Sequence, residues 1–192
     1  TVNPASNSIY DAYSNISTIS QSNNTVTVND KTPPTITLAV ADGDGNSLSS
    51  GSTTNDASLS LTFTISEATT NFASNDVTLA GGTISSFSAT SSTVYTATFT
   101  PSADGATTVD VGASVFTDAG GNGNTAAAQY AWTHDGTPSI ISSVSLASDN
   151  STIAVTMNEV VYNTTLGSGA VEMSDFALSV SGGSATMASS TP

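Results

Sequence analysis

Apolar and polar residues alternate one by one in several short stretches of this sequence. In Ser58–Ser66, for example, Leu59, Leu61, Phe63 and Ile65 share one face and Ser or Thr residues share the other. The other stretches with this period are Thr35–Ala41, Val94–Pro101 and Ala126–Thr133. A period of two places one side of a strand on a core and the other side in water, as in an antiparallel sheet.

The composition favours strands and turns over helices. The chain contains 34 Ser and 32 Thr residues among 192, and turn-forming clusters such as DGDGN and DAGGN separate the alternating stretches. We find no helical period of useful length. We therefore predict an all-β fold of the β-sandwich type. Its predicted core contains Leu61, Phe63, Tyr95, Phe99 and Trp132.

The sequence also repeats itself. Asp11 recurs as Asp118, 107 residues later, and Asp30 recurs as Asp135, 105 residues later. Asp30 and Asp135 each begin an Asp-x-Thr-Pro step, which suits a joint because Pro fixes its backbone and forces the preceding residue to be extended. A period near 100 residues is the size of an immunoglobulin-like sandwich. The predicted pieces are the last strands of one module (1–33), a complete module (34–137) and the opening strands of another (138–192).

The segments TPPTITLAV, LSLTFTISEATTNFASNDVTLAGGTI, YTATFTPSADG and VFTDAGGNGNTAA occur in this order in the middle piece. Together they resemble the immunoglobulin-like repeats of giant bacterial surface adhesins. The last piece is closer to the related repeats of surface-layer proteins. The resemblance implies tandem immunoglobulin-like β-sandwich modules, one complete and two partial, in an extracellular rod that calcium often stiffens.

The charge balance limits the classes of partner. The net charge is −14 and Lys31 is the single basic residue, so we expect no nucleic acid, whose phosphates need cations. Without a run of about 20 apolar residues we expect no membrane insertion. The chain has no Cys, which rules out disulfides and thiolate zinc sites.

Fifteen carboxylates repel one another unless salt or divalent cations relieve the repulsion. Ca²⁺ prefers oxygen ligands, and we predict Ca²⁺ as the bound ion. The candidate ligands are Asp42, Asp44 and Asn46; Asp118, Asn122 and Asp135; and Asp11, Asn15 and Asp30. We expect the loop at Asp118 to fold toward Asp135. DGDGN begins like an EF-hand loop, but Ser47 and Thr53 stand where that loop has Gly and Glu. The alternative is that these loops are polar turns.

Candidate catalytic residues are few. His134, the one histidine, lies in the step WTHDGTP, where we expect a solvated linker residue, and no Gly-x-Ser-x-Gly motif accompanies it. Glu67 and Glu159 each follow an alternating stretch of the repeat, so structure or a cation explains them better than acid–base chemistry. We therefore predict that the protein is not an enzyme.

Three functions from different classes fit these features. The first is a structural spacer of a large extracellular adhesin or surface fibre, whose partners are neighbouring modules of the same or an adjacent chain. In that case a glycan or other cell-surface ligand binds elsewhere in the full protein. The alternative is a filament subunit assembled by β-strand exchange between neighbours. A carbohydrate-binding sandwich ranks last, with Tyr13 as its exposed aromatic.

Overall fold

Two units make up the chain. The computed structural model describes residue 13, residues 30–164 and residues 167–177. Contacts divide the chain between Gly136 and Thr137. The first unit contains strands β1 to β9 and the second contains β10 and β11, with one short 3-10 turn in each.

Five strands of the first unit form one sheet in the order β2-β1-β4-β7-β6. Every neighbouring pair in it is antiparallel. Alternation of apolar and polar residues gives β4 and β7 one buried face each. The strands are β1 (Ile36–Ala41), β2 (Ser47–Leu48), β4 (Leu59–Ile65), β6 (Gly82–Ala89) and β7 (Val94–Pro101).

The remaining four strands of the first unit form a second sheet in the order β3-β9-β8-β5. The short pair β3–β9 is parallel, and the other pairs are antiparallel. The 3-10 turn Ser74–Asp76 leads from the first sheet into the second. The strands are β3 (Thr53–Thr54), β5 (Val77–Ala80), β8 (Gly105–Val111) and β9 (Tyr130–His134).

The core of the first unit is formed by apolar side chains of both sheets. Phe63 stacks edge-on against Phe72, and Phe99 stacks edge-on against Trp132 of the other sheet. The five predicted core residues, Leu61, Phe63, Tyr95, Phe99 and Trp132, are all buried. The predicted all-β sandwich is therefore confirmed. The alternating stretch Ala126–Thr133 is a strand only from Tyr130.

The second unit contains one antiparallel pair of strands in its described residues. β10 (Ile141–Leu146) pairs with β11 (Ile153–Met157), and a β-bulge interrupts the register between Ile141 and Ser143. A 3-10 turn, Met173–Asp175, follows.

Candidate metal centre

Three carboxylates from distant parts of the sequence converge at one end of the first unit. Asp30 precedes β1, Glu67 follows β4, and Asp118 lies in the loop between β8 and β9. One oxygen from each lies within 4.8 Å of the others. Within the described residues this is the one group of three or more acidic, His or Cys side chains that could share a metal ion. We call these three residues the carboxylate cluster.

The Asp118 carboxylate is fixed by a tight turn. Its Oδ1 accepts the Asn122 backbone N–H at 2.8 Å, and its Oδ2 accepts the Asn122 side-chain amide at 2.8 Å. Gly121 completes the turn with φ of +84°, a conformation that favours glycine. The residue is only 7% exposed, so the protein holds this carboxylate in place.

Glu67 is brought near Asp118 because its loop is hydrogen-bonded to the Asp118 loop. Thr69 Oγ1 donates to the Thr117 carbonyl at 2.7 Å, and the Thr117 backbone N–H donates to Asn71 Oδ1 at 3.1 Å. The buried Tyr95 hydroxyl donates to the Thr69 carbonyl at 3.0 Å. These bonds fix the loop after β4 against the sandwich.

Asp30 belongs to the segment that leads into β1. The Asn122 side chain donates to the Asp30 carbonyl at 3.2 Å, and Asp30 Oδ1 accepts the Thr32 N–H at 2.9 Å. Further along, the Thr125 N–H donates to the Pro34 carbonyl at 2.9 Å. The entering segment thus lies along the Asp118 loop.

The three negative charges oppose one another. Burial raises the pKa of Glu67 above its ordinary value of 4.5, and the charges of Asp30 and Asp118 raise the pKa further. In contrast, the hydrogen bond from the Asn122 side chain lowers the pKa of Asp118 below 3.8. Asp118 is therefore the anchored anion of the cluster, while ionisation of Glu67 costs folding free energy.

Stability should depend on pH through Glu67. In chelator, we expect Glu67→Gln to melt higher than the wild type at pH 7, with the advantage disappearing as the pH falls through the raised pKa toward 4.5. The reason is that a carboxyl group whose pKa is raised in the folded state makes the protein less stable as the pH rises. Asp118→Asn should show the opposite trend, since its lowered pKa makes ionised Asp118 stabilising above 3.8. Thermal melts of both variants from pH 3.5 to 7 measure this, and parallel profiles for the two would contradict it.

Asp135 does not join the Asp118 loop, contrary to the expected convergence. The Asp118 loop follows the end of β8, whereas His134, which precedes Asp135, pairs with Gly105 at the start of β8. β8 is seven residues long, which is about 20 Å at roughly 3.3 Å per residue. The joint residue beside Asp118 is Asp30, the earlier member of the repeat, so Asp118, Asn122 and Asp30 form one group.

The Asp42–Asn46 loop is a turn whose carboxylate is occupied by its own backbone. Asp42 Oδ1 accepts the N–H groups of Asp44 and Asn46 at 3.0 and 2.7 Å, and Oδ2 accepts the Asn46 side chain at 3.0 Å. These bonds lower the pKa of Asp42, the bond from the Asn46 side chain most of all. The geometry is an Asx turn. The other predicted ligands, Asp11 and Asn15, lie outside the described residues.

Sequence reasoning left Glu67 out of the predicted ligands. Its signal was present, because Glu67 recurs as Glu159 at the same place in the repeat. The prediction for His134 is also wrong, because His134 is not a solvated linker residue. It is the last residue of β9, its side chain is 11% exposed, and its Nε2 lies 3.9 Å from Asp104 Oδ1.

Comparisons with known proteins bear on the first unit. A family model described as a bacterial Ig-like domain matches residues 30–134. No curated protein and no solved structure gave a significant match. A search of the described residues for a helix long and apolar enough to cross a membrane found none.

Proposed function

Because the chain belongs to the family of bacterial Ig-like domains, we propose that it is a spacer module of a large extracellular adhesin or surface fibre and that calcium stiffens it. The partners in this proposal are neighbouring modules of the same or an adjacent chain. A structural role, without catalysis, is typical of the family. The observation that carries the calcium proposal is the carboxylate cluster, because Asp30 comes from the entering segment and the other two members come from the sandwich.

The donor set suits calcium. The cluster offers oxygen atoms alone, and its three carboxylates supply up to six of the six to eight oxygens that Ca²⁺ takes. The absence of nitrogen and sulfur from these three side chains disfavours zinc and copper. Burial is the main cause of the raised pKa of Glu67, and the charges of Asp30 and Asp118 add to it; a divalent cation would relieve that repulsion.

A shared ion would change the mechanics of the entering segment. Asp30 is followed by five residues before β1 begins at Ile36, and an ion would tie it to the loops carrying Glu67 and Asp118. The entering segment would then move with the sandwich. In an array of modules, such a tie at each joint would convert a flexible chain into a rod.

Calcium should protect the entering segment from trypsin. Lys31 is the single Lys or Arg residue of the chain and is exposed, so it is the sole tryptic site and lies next to Asp30. We expect cleavage of the full chain to slow in calcium compared with EDTA. The unfolding free energy should also rise, by about 2.7 kcal/mol at a calcium concentration a hundredfold above Kd, as measured through Trp132 fluorescence.

The matched variants are Asp30→Asn and Asp110→Asn, which change the charge equally. Asp30→Asn should remove both calcium effects, while Asp110→Asn, at a half-buried site in β8 where Gln129 donates to the carboxylate, should keep them. The pair also controls for any effect of calcium on trypsin. Equal cleavage and melting of the wild type in calcium and in EDTA would contradict the calcium proposal and leave the spacer role to be decided separately.

The alternative proposal is a filament subunit assembled by β-strand exchange between neighbours, in which an open sheet edge of one chain accepts a strand of the next.

A further inference from the structure

The β10–β11 hairpin repeats the antiparallel β1–β4 pair of the first unit in register. In β1–β4, the pairs Ile36–Ile65, Leu38–Phe63 and Val40–Leu61 share one face. In β10–β11, the face contains the pairs Ile141–Met157, Val144–Val155 and Leu146–Ile153. Ser and Thr residues and alanines occupy the opposite face of both strand pairs. Each strand pair therefore has one apolar and one small or polar face.

Hydrogen bonds outside the strands repeat as well. At the open end of β1–β4, Ser66 N–H donates to the Thr35 carbonyl, and Thr35 N–H donates to the Ser66 hydroxyl. At the same place in β10–β11, Asn158 N–H donates to the Ile140 carbonyl, and Ile140 N–H donates to Asn158 Oδ1. This reciprocal pair of hydrogen bonds identifies the two strand pairs as equivalent elements.

The 3-10 turns give a second correspondence. Asp76 Oδ2 accepts the Ala73 N–H at 2.8 Å, and Asp175 Oδ2 accepts the Glu172 N–H at 2.8 Å. In each turn the Asp N–H donates back to the same residue's carbonyl. The described residues of the second unit therefore share with the first unit the β1–β4 strand pair and the 3-10 turn that precedes β5, without counterparts of β2 and β3.

The two strand pairs differ in how far their apolar faces are buried. Val40 and Leu61 are buried, whereas their counterparts Leu146 and Ile153 are 59% and 43% exposed. Val144 is also 60% exposed. Within the described part of the chain, β10 and β11 form a sheet of two strands, and an isolated hairpin is only marginally stable in water.

We infer that the β11 edge and the apolar face of β10–β11 form an acceptor site for one further β-strand, of the type of β7. The occupant is an extended segment with bulky apolar residues at alternate positions and Ser or Thr between them. In the first unit β4 accepts β7 in this way, and the pairs Phe63–Tyr95 and Leu61–Ala97 extend the apolar face. The equivalent register would place the occupant's counterpart of Tyr95 beside Val155 and its counterpart of Ala97 beside Ile153.

Physical chemistry favours such an occupant. An open edge presents unpaired N–H and C=O groups that an added strand can satisfy. A contiguous apolar patch on a surface marks an interaction site. The inference goes beyond the spacer function and does not depend on calcium, so its test is carried out in EDTA.

The probe is a fluorescein-labelled peptide of residues 93–102, which contains β7. We expect saturable binding to the full chain by fluorescence anisotropy. Val155→Asp should weaken binding about tenfold or more, because the bulky residue beside position 155 then meets a charge instead of an apolar side chain. Ala154→Asp, one residue away on the opposite face with the same change of charge, should leave the affinity unchanged within about twofold. Both positions are exposed, so neither change removes a buried group.

A second pair of peptides separates strand addition from simple apolar adhesion. Peptides N-methylated at alternate residues, one set at odd and one at even positions, keep the side chains but lose N–H donors on one edge. One of the two sets should abolish binding and the other should retain it. Loss of binding in neither set, or equal weakening by Ala154→Asp and Val155→Asp, would overturn the inference.

Two further outcomes would also overturn it. One is the absence of saturable peptide binding to the wild type. The other is self-association of the chain that Val155→Asp abolishes and the peptide does not compete with, measured by sedimentation, which would make a second copy the occupant. The calcium proposal is tested by the Lys31 cleavage experiment and the strand-acceptor proposal by peptide binding, so failure of either is recognised separately.

Discussion

Replacing Phe63 with alanine is expected to lower the unfolding free energy of the first unit by about 3–5 kcal/mol. Phe63 is 0% exposed and lies in the middle of β4. Its ring meets Phe72 edge-on with 5.5 Å between centroids, and Phe87 at 6.1 Å. The substitution would remove these contacts and leave a cavity. The cavity cannot close, because hydrogen bonds to β1 and β7 hold β4 in place on both sides.

Urea unfolding of the full chain followed through Trp132 measures this effect. Trp132 is the one tryptophan of the chain and is buried against Phe99, so its fluorescence reports the first unit. Phe176→Ala is the matched control, since it deletes the same atoms from a residue of the second unit that is 38% exposed. We expect this control to leave the Trp132 transition unchanged. A Phe63→Ala protein with the wild-type midpoint would refute the assigned core.

Alternation along the strands was enough to predict the sandwich and its core. Each of β4 and β7 is buried on one face, and a period of two states directly which residues occupy that face. Leu61, Phe63, Tyr95 and Phe99 could therefore be placed in the core without knowing which strands pair. The pairing itself, with β7 beside β4, depends on loop lengths and long-range contacts that a local pattern does not encode.

The carboxylate cluster could be predicted only in part. The repeat marked Asp30 as a joint residue and Asp118 as a loop residue, but it grouped Asp118 with Asp135 and Asp30 with Asp11. The strand predicted between Asn122 and Asp135 already indicates that Asp118 and Asp135 are far apart. A strand of the length of β9, five residues, spans roughly 17 Å, so a loop at one end of it cannot share an ion with a residue at the other.

Asn124 shows a further limit of sequence reasoning. The local sequence DAGGNGN indicates that Asn124 is a polar turn residue, yet Asn124 is only 2% exposed. Its role depends on four backbone groups brought around it by the fold. No local pattern distinguishes this asparagine from Asn122, which lies two residues earlier and contacts the carboxylate cluster.

Asn124→Ala is expected to destabilise the first unit by about 3 kcal/mol or more. The Asn124 Oδ1 accepts the N–H groups of Val115 and Phe116 at 2.8 and 3.1 Å. Its Nδ2 donates to the carbonyls of Gly112 and Thr125 at 2.7 and 2.8 Å. Alanine would leave these backbone groups without partners, and a buried polar group left unsatisfied costs about 1–3 kcal/mol. Because the same loop carries Asp118, the variant should also weaken calcium binding if the cluster holds the ion.

Two comparisons make the Asn124 prediction specific. Asn124→Asp keeps the acceptor oxygen but places a second oxygen against the carbonyls of Gly112 and Thr125. It should therefore also destabilise the first unit strongly at pH 7. The loss of stability should be smaller in acid, where the new carboxyl group is protonated and can donate a hydrogen bond. Asn46→Ala deletes an exposed side chain whose partner is the neighbouring Asp42, and it should cost about 1 kcal/mol or less. Urea midpoints of the three variants in EDTA order them. Equal midpoints for Asn124→Ala and Asn46→Ala would mean that the loop after β8 does not depend on this buried amide, and that some other feature holds Asp118 beside Glu67.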